Sequence, residues 1–173
     1  MTDVEADGPC PGLFSMTEIG IVKVEEPLIE APTFYAKLRP LEGAGFIQEA
    51  LDVCNRTREE TLAFPDAEEG ITAMAWWVKE NNTSGRPQFI SDNNGFDYQF
   101  VNYYCWKILG YNPFGHSSTN LGSLYKGIKG DFFQSFKWLR KTTHDHNPVN
   151  DSMGNCEALI AMRERYGLKM KLK

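Results

Sequence analysis

Three groups of ligand-type side chains stand out in this sequence: Asp3-Val4-Glu5, Asn94-Gly95-Phe96-Asp97 and His146-Asn147-Pro148-Val149-Asn150-Asp151. Together they offer four carboxylates and one imidazole. That set suits metal-assisted hydrolysis of a phosphodiester: carboxylate oxygens hold hard divalent cations, and an imidazole takes a proton from water near neutral pH. No group is informative alone. A D-x-E pair is common in an acidic stretch, an Asp in a helix's first turn is favoured by the macrodipole whatever else it does, and a histidine ahead of a helix is more often structural.

Asp3 and Glu5 sit two apart, so on a strand they share one face. Asp97 is expected at the start of a helix that follows a buried strand. Asp92 is its rival, but its place near the strand end suits support of the turn. In the last group Asn147 is a good N-cap and Pro148 a favoured first helical residue. His146 then falls just outside the helix and Asp151 about one turn in, where both reach one pocket. His144 is the rival histidine and reads as solvated or supporting; His116 reads as a loop residue.

The elements that must position these groups follow from periodicity and turn residues. Strands are expected over 1–6, Ser15–Val24, Phe34–Leu38, Gln88–Ser91 and Ser117–Leu121. Helices are expected over Phe46–Asn55, Asp66–Asn82, Phe96–Leu109, near Leu124–Ile128, over Phe132–Leu139 and from Pro148 to Tyr166, with Gly167 as a stop before a basic tail. Ile71, Met74, Ala75 and Val78 make one apolar stripe on the second of these helices. The order predicts an α/β fold, a mixed sheet with helices on its faces.

The bulk properties fit one domain over 1–173. The chain has 173 residues, 42% apolar and 13% aromatic, enough for a substantial core. No apolar run approaches the ~20 residues of a membrane span, and MTDVEADGPCPG has neither the basic start nor the apolar run of a secretory leader. The four cysteines form no C-x-x-C pair, which disfavours a zinc knuckle and suits reduced thiols in a cytoplasm. The net charge of −5 argues against tight, extended duplex binding. Two bound divalent cations would offset the four ligand charges locally.

The order D-x-E, F-D, H-x-x-x-x-D resembles the DEDDh branch of the ribonuclease-H-like 3′→5′ exonucleases. The glycine–proline loop after Glu5 and the apolar strand Glu18-Ile19-Gly20-Ile21-Val22 strengthen the likeness, and Asn94-x-Phe96-Asp97 resembles the family's NxxFD-like motif, one residue tighter. DVEADGP, FISDNNGFD, STNLGSLYKG and HNPVND are similar, more narrowly, to phage and bacterial exonucleases with a mycobacterial exoribonuclease-like domain. One departure is that only Met1 and Thr2 precede Asp3; a first strand that paired poorly would hold Asp3 loosely.

The resemblance implies a ribonuclease-H-like mixed sheet flanked by helices on both faces. It also implies Asp3, Glu5, Asp97 and Asp151 as ligands of two divalent cations, Mg²⁺ or Mn²⁺, and His146 as general base. The implied reaction releases nucleoside 5′-monophosphates from single-stranded 3′ ends, leaning to RNA or short oligoribonucleotides. The alternatives are the same chemistry on DNA 3′ ends, or a non-catalytic nucleic-acid-binding module. Leu13, Phe14, Met16 and Tyr98 are the candidate contacts to the terminal base, with core as the competing reading for Phe14 and Met16. Arg140 and Lys141 are candidate phosphate contacts or solvated charges. Trp76, Trp77, Trp106 and Trp138 are assigned to the core or to a homodimer interface.

Overall fold

The computed structural model describes residues 1–170; residues 171–173, the end of the basic tail and of the expected domain, lie outside the described part. Among the described residues, five strands and six α-helices follow in the order β1 (Thr2–Ala6), β2 (Met16–Val22), β3 (Thr33–Lys37), α1 (Gln48–Val53), α2 (Arg58–Leu62), α3 (Ala67–Asn81), β4 (Phe89–Ser91), α4 (Asp97–Tyr104), β5 (Ser118–Asn120), α5 (Leu121–Lys129) and α6 (Pro148–Tyr166). Helix α4 runs on as a π-helical segment, Cys105–Leu109, and ends at Gly110 with φ 74°. Strands β1, β2 and β3 form an antiparallel sheet with β2 central, and β4 pairs in parallel with β5. Strand β4 lies beside β1, so the two sheets are neighbours.

Strand β1 is fully paired: Thr2 faces Ile21, Asp3 faces Gly20 and Glu5 faces Glu18, and the Met1 amino group donates to the Val22 carbonyl at 2.8 Å. The two residues ahead of Asp3 therefore suffice to anchor the strand, and the loose pairing considered from the sequence does not occur.

Strand alternation sends the two faces of the sheet into two cores. Val4, Ile19 and Ile21 pack with Ile71 and Met74 of α3 and Phe100, Val101 and Tyr104 of α4. Met1 and Val22 pack with Leu121 and Tyr125 of α5 and Cys156, Leu159 and Met162 of α6. Helices thus cover both faces, as the fold class requires. Among the described residues no helix is long and apolar enough to cross a membrane.

Two expectations fail, and one helix is additional to those expected. The stretch Phe132–Leu139 is not a helix: only Lys137–Leu139 forms a 3₁₀ turn. Phe132, Phe133, Phe136 and Leu139 have helical spacing, but Asp131 takes up local backbone and side-chain donors in a turn instead, and of the four only Phe136 and Leu139 are buried. Trp76, Trp106 and Trp138 are 64%, 59% and 58% exposed, so the core reading holds for none of them. Helix α2 was not foreseen, although its capping box of Thr57 and Glu60 is a local sequence signal.

Candidate active site

Gly20 determines where the site forms. A Cβ there would lie 2.3 Å from the Pro148 carbonyl carbon, so only glycine lets the first turn of α6 press onto β2 beside Asp3. Ser152 Oγ donates to the Gly20 carbonyl at 3.2 Å and fixes the contact. The start of α6 is set locally: Asn147 Oδ1 accepts from Val149 N and Asn150 N, and Pro148 occupies the first turn. Asp151 is thereby delivered to the strand that carries Asp3 and Glu5. Ligand oxygens of these three residues lie within 4.8 Å of one another.

Asp97 arrives from the other side. It opens α4, where its amide donates to Asn93 O at 3.0 Å and its Oδ1 accepts from Val4 N at 3.2 Å. All four sequence-nominated carboxylates are therefore brought together, at the edge of a cleft of about 310 Å³ whose lining includes Asp3, Glu5, Asp92, Asp97, His144 and His146.

The electrostatics are those of acids crowded out of water. Burial, and then the neighbouring Asp97 and Glu5, hold the Asp3 carboxyl well above the usual range. Burial is also the main cause that lifts Glu5 to about 7, opposed by a hydrogen bond from the Cys54 thiol at 2.9 Å. Asp97 is pushed up to about 7 by burial and then by Asp92. Asp97 Oδ2 and Asp151 Oδ2 are buried without a hydrogen-bond donor. Orphaned carboxylate oxygens are costly in a protein interior, and oxygen-seeking divalent cations are the groups that satisfy them. The donor set fits such ions.

Two histidines stand over the carboxylates. His146, with φ 59°, brings Nδ1 within 3.7 Å of Glu5 Oε1. His144 Nδ1 is 2.6 Å from Asp151 Oδ1, and the two rings meet edge to face with centroids 4.4 Å apart. Both its exposure and its contact with the nominated ligand Asp151 agree with the sequence reading of His144 as a solvated or supporting residue.

Other candidates are placed differently. Met16 has no exposed surface and packs in the core between sheet and α4, so it meets no base. Tyr98 packs its ring edge-on against Phe89 and donates its hydroxyl to the Gly115 carbonyl, away from the carboxylates. Leu13 is 70% exposed and Phe14 half-buried on the loop after β1, but neither lines the cleft. Its apolar wall comes instead from Ala50 and Val53 of α1 and from Phe96. No motif marked α1, because its role depends on where the chain returns.

Asn94 spends its side chain between Ser91 and Ser118, while Asn93 lines the cleft. Arg140 is neither solvated nor free for phosphate: its side chain is 6% exposed and donates to Asp92 at 3.1 Å and to Asn155. Asp92 is thus a fifth carboxylate at the cleft, balanced by a buried guanidinium.

Comparison with known proteins agrees with this geometry. No family model matches the chain. A curated relative, the 3′-5′ DNA exonuclease Cap18 of Escherichia coli, is 30% identical over an alignment 184 positions long that covers 98% of this chain and 93% of the relative. Among solved structures, the nuclease domain of 3′hExo, a DEDDh family member bound to rAMP, superposes with a TM-score of 0.75 at 14% identity, covering 99% of this chain and 94% of that one. The zinc-bound E. coli ExoI–ssDNA complex gives 0.73 at 14% identity, covering 96% of this chain and 40% of that one. At such identity the structures speak for the fold alone; the relative covers nearly the whole chain at higher identity.

Proposed function

Because this chain belongs to the DEDDh family of 3′→5′ exonucleases, we propose that it removes nucleoside 5′-monophosphates from the 3′ ends of single-stranded DNA. The observation that carries the reaction is the convergence of Asp3, Glu5, Asp97 and Asp151 with two orphaned carboxylate oxygens beneath a histidine pair. The choice of DNA over the RNA suggested by sequence motifs rests on the 30% identical relative, named as a DNA exonuclease. RNA remains the second reading, favoured by the narrower motif likeness and by the rAMP bound to 3′hExo.

Divalent cations held by the four carboxylates would neutralise charge on the scissile phosphate and lower the pKa of water. The chain's own groups do the rest. His146 stands at the mouth of the cleft and takes the proton from the attacking water. Glu5, 3.7 Å from its Nδ1, orients the ring. His144 holds Asp151 from the solvent side. Ala50, Val53 and Phe96 offer the terminal base an apolar surface. Four free cysteines among the described residues accord with a reducing compartment, in keeping with a cytoplasmic enzyme.

The test is a 5′-labelled DNA oligomer and an RNA oligomer of equal sequence, each incubated with Mn²⁺ or with EDTA. We expect a metal-dependent ladder that shortens from the 3′ end, faster on DNA. Faster RNA decay would move the substrate to RNA; no cleavage of either would remove the enzymatic reading.

A further inference from the structure

The segment from Lys126 to Lys141 departs from the rest of this acidic protein. It holds five basic residues and one acidic one, although the chain as a whole carries −5. Gly130, with φ 63°, ends α5, and the following turn is built around Asp131, whose Oδ1 accepts from Phe133 N and whose Oδ2 accepts from Gln134 Nε2, both at 2.9 Å. This turn holds Phe132 and Phe133 in water, 85% and 98% exposed. Two adjacent phenylalanines without packing are an energetic liability on a surface that has no use for them. Trp138 is 58% exposed, its indole N–H bonded to Tyr125 and its ring covered by the Arg165 guanidinium at 5.2 Å. Lys129, Lys137 and Lys141 of the same segment are exposed, Lys129 with its ammonium 5.1 Å from the Tyr166 ring centre.

The segment is also tied to the cleft. Phe136, buried in the second core, carries the Arg140 guanidinium over its ring, and Arg140 reaches Asp92 in the cleft lining. Phe133 and Arg140 are seven positions apart, so no more than about 25 Å of chain lies between the exposed Phe133 and the residue that contacts the cleft.

Exposed aromatic rings interleaved with lysines are the chemistry of a single-strand platform: every base presents a π-face and every nucleotide a negative phosphate. We propose that the Lys126–Lys141 segment is a docking track for the nucleotides upstream of the one being removed, with Phe132, Phe133 and Trp138 stacking on bases and Lys129, Lys137 and Lys141 pairing with phosphates. The track deepens the exonuclease reading and rests on it. On this proposal the enzyme is length-sensitive: a strand long enough to engage the rings gains contacts that a dinucleotide held in the cleft does not make.

The experiment compares the wild type with a Phe132→Ala/Phe133→Ala variant, and separately with a Lys129→Glu/Lys137→Glu variant. Both alter exposed side chains, so folding is checked by thermal melting. Hydrolysis of a dinucleotide and of a 20-nucleotide single strand is followed with Mn²⁺, and binding of the labelled 20-mer is followed by anisotropy with Ca²⁺. We expect KM and Kd for the 20-mer to rise about tenfold or more, the scale of base–aromatic stacking, with dinucleotide turnover unchanged. Unchanged 20-mer binding and KM would overturn the track. Equal loss on both substrates would overturn it too, since the segment would then act by supporting the cleft. A change of oligomeric state by light scattering, with KM unchanged, would make the surface a contact for a second copy instead. If the wild type cleaves nothing, the exonuclease reading falls, while the anisotropy arm still decides whether the segment binds single strands.

Discussion

Asp3, Glu5, Asp97 and Asp151 lie in a paired strand and in the first turns of two long-range-packed helices, and the last three are at most 8% exposed. His144 and His146 ride on the short connection ahead of α6, one exposed and one half-buried. Its root is tied down, since Lys141 N and Thr142 N donate to Glu157 of α6 at 2.6 and 2.8 Å. The imidazoles themselves are held by the carboxylates below them and by each other. The floor of the cleft is thus fixed by the fold, whereas the rim is fixed by the floor. On the proposed reading, cation binding belongs to the buried floor and proton handling to the more exposed rim.

The largest effect should come from breaking the floor. Asp151→Ala removes an oxygen shared with Asp3 and Glu5 and frees His144, so cleavage should fall below detection and titrated Mn²⁺ should bind far more weakly, while circular dichroism stays that of a folded chain. Full activity would mean that the floor is not the reaction centre.

Breaking the rim should separate rate from cation binding. His146→Ala should lower kcat by about 10²–10⁴-fold, the range for loss of a general base, with Mn²⁺ affinity kept. His144→Ala should cost less, because its contact is with Asp151 rather than with the reacting water. The opposite ranking would assign the proton to His144.

The smallest effect sharpens the contrast without mutation. Glu5 and Asp97 are raised from 4.5 and 3.8 to about 7 in the folded chain, so between those limits the folded protein binds more protons than the unfolded one. Stability of the cation-free protein should therefore fall as pH rises from about 4 to 7. Divalent cations, which bind the ionised carboxylates, should raise Tm more at pH 8 than at pH 5. A cation-induced shift that is equal at both values would place binding away from these two acids.

Local chemistry made parts of this protein legible in one dimension. Helix α6 begins and ends where Asn147, Pro148 and Gly167 place it, since capping and left-handed termination act within a few residues. Leu13 and Met16 are both candidate base contacts in the sequence, with core as the competing reading for Met16, and the choice between the two readings falls to core because burial depends on what the rest of the chain lays over each position. Arg140 reads from the sequence as a phosphate contact or a solvated charge for the same reason: its partners Asp92 and Asn155 lie 48 and 15 residues away.

The sequence by itself determined the α/β order, because residue type and short spacing carry strand faces and helix caps, and its resemblance to a known family nominated the four carboxylates and the histidine motif. Only the tertiary structure decided that Gly20 opens a notch for α6, that His144 touches Asp151, that Ala50, Val53 and Phe96 wall the cleft and that Phe132 and Phe133 face water. Those are properties of distant segments packed together, and the side-chain alphabet encodes them only through the fold they jointly stabilise.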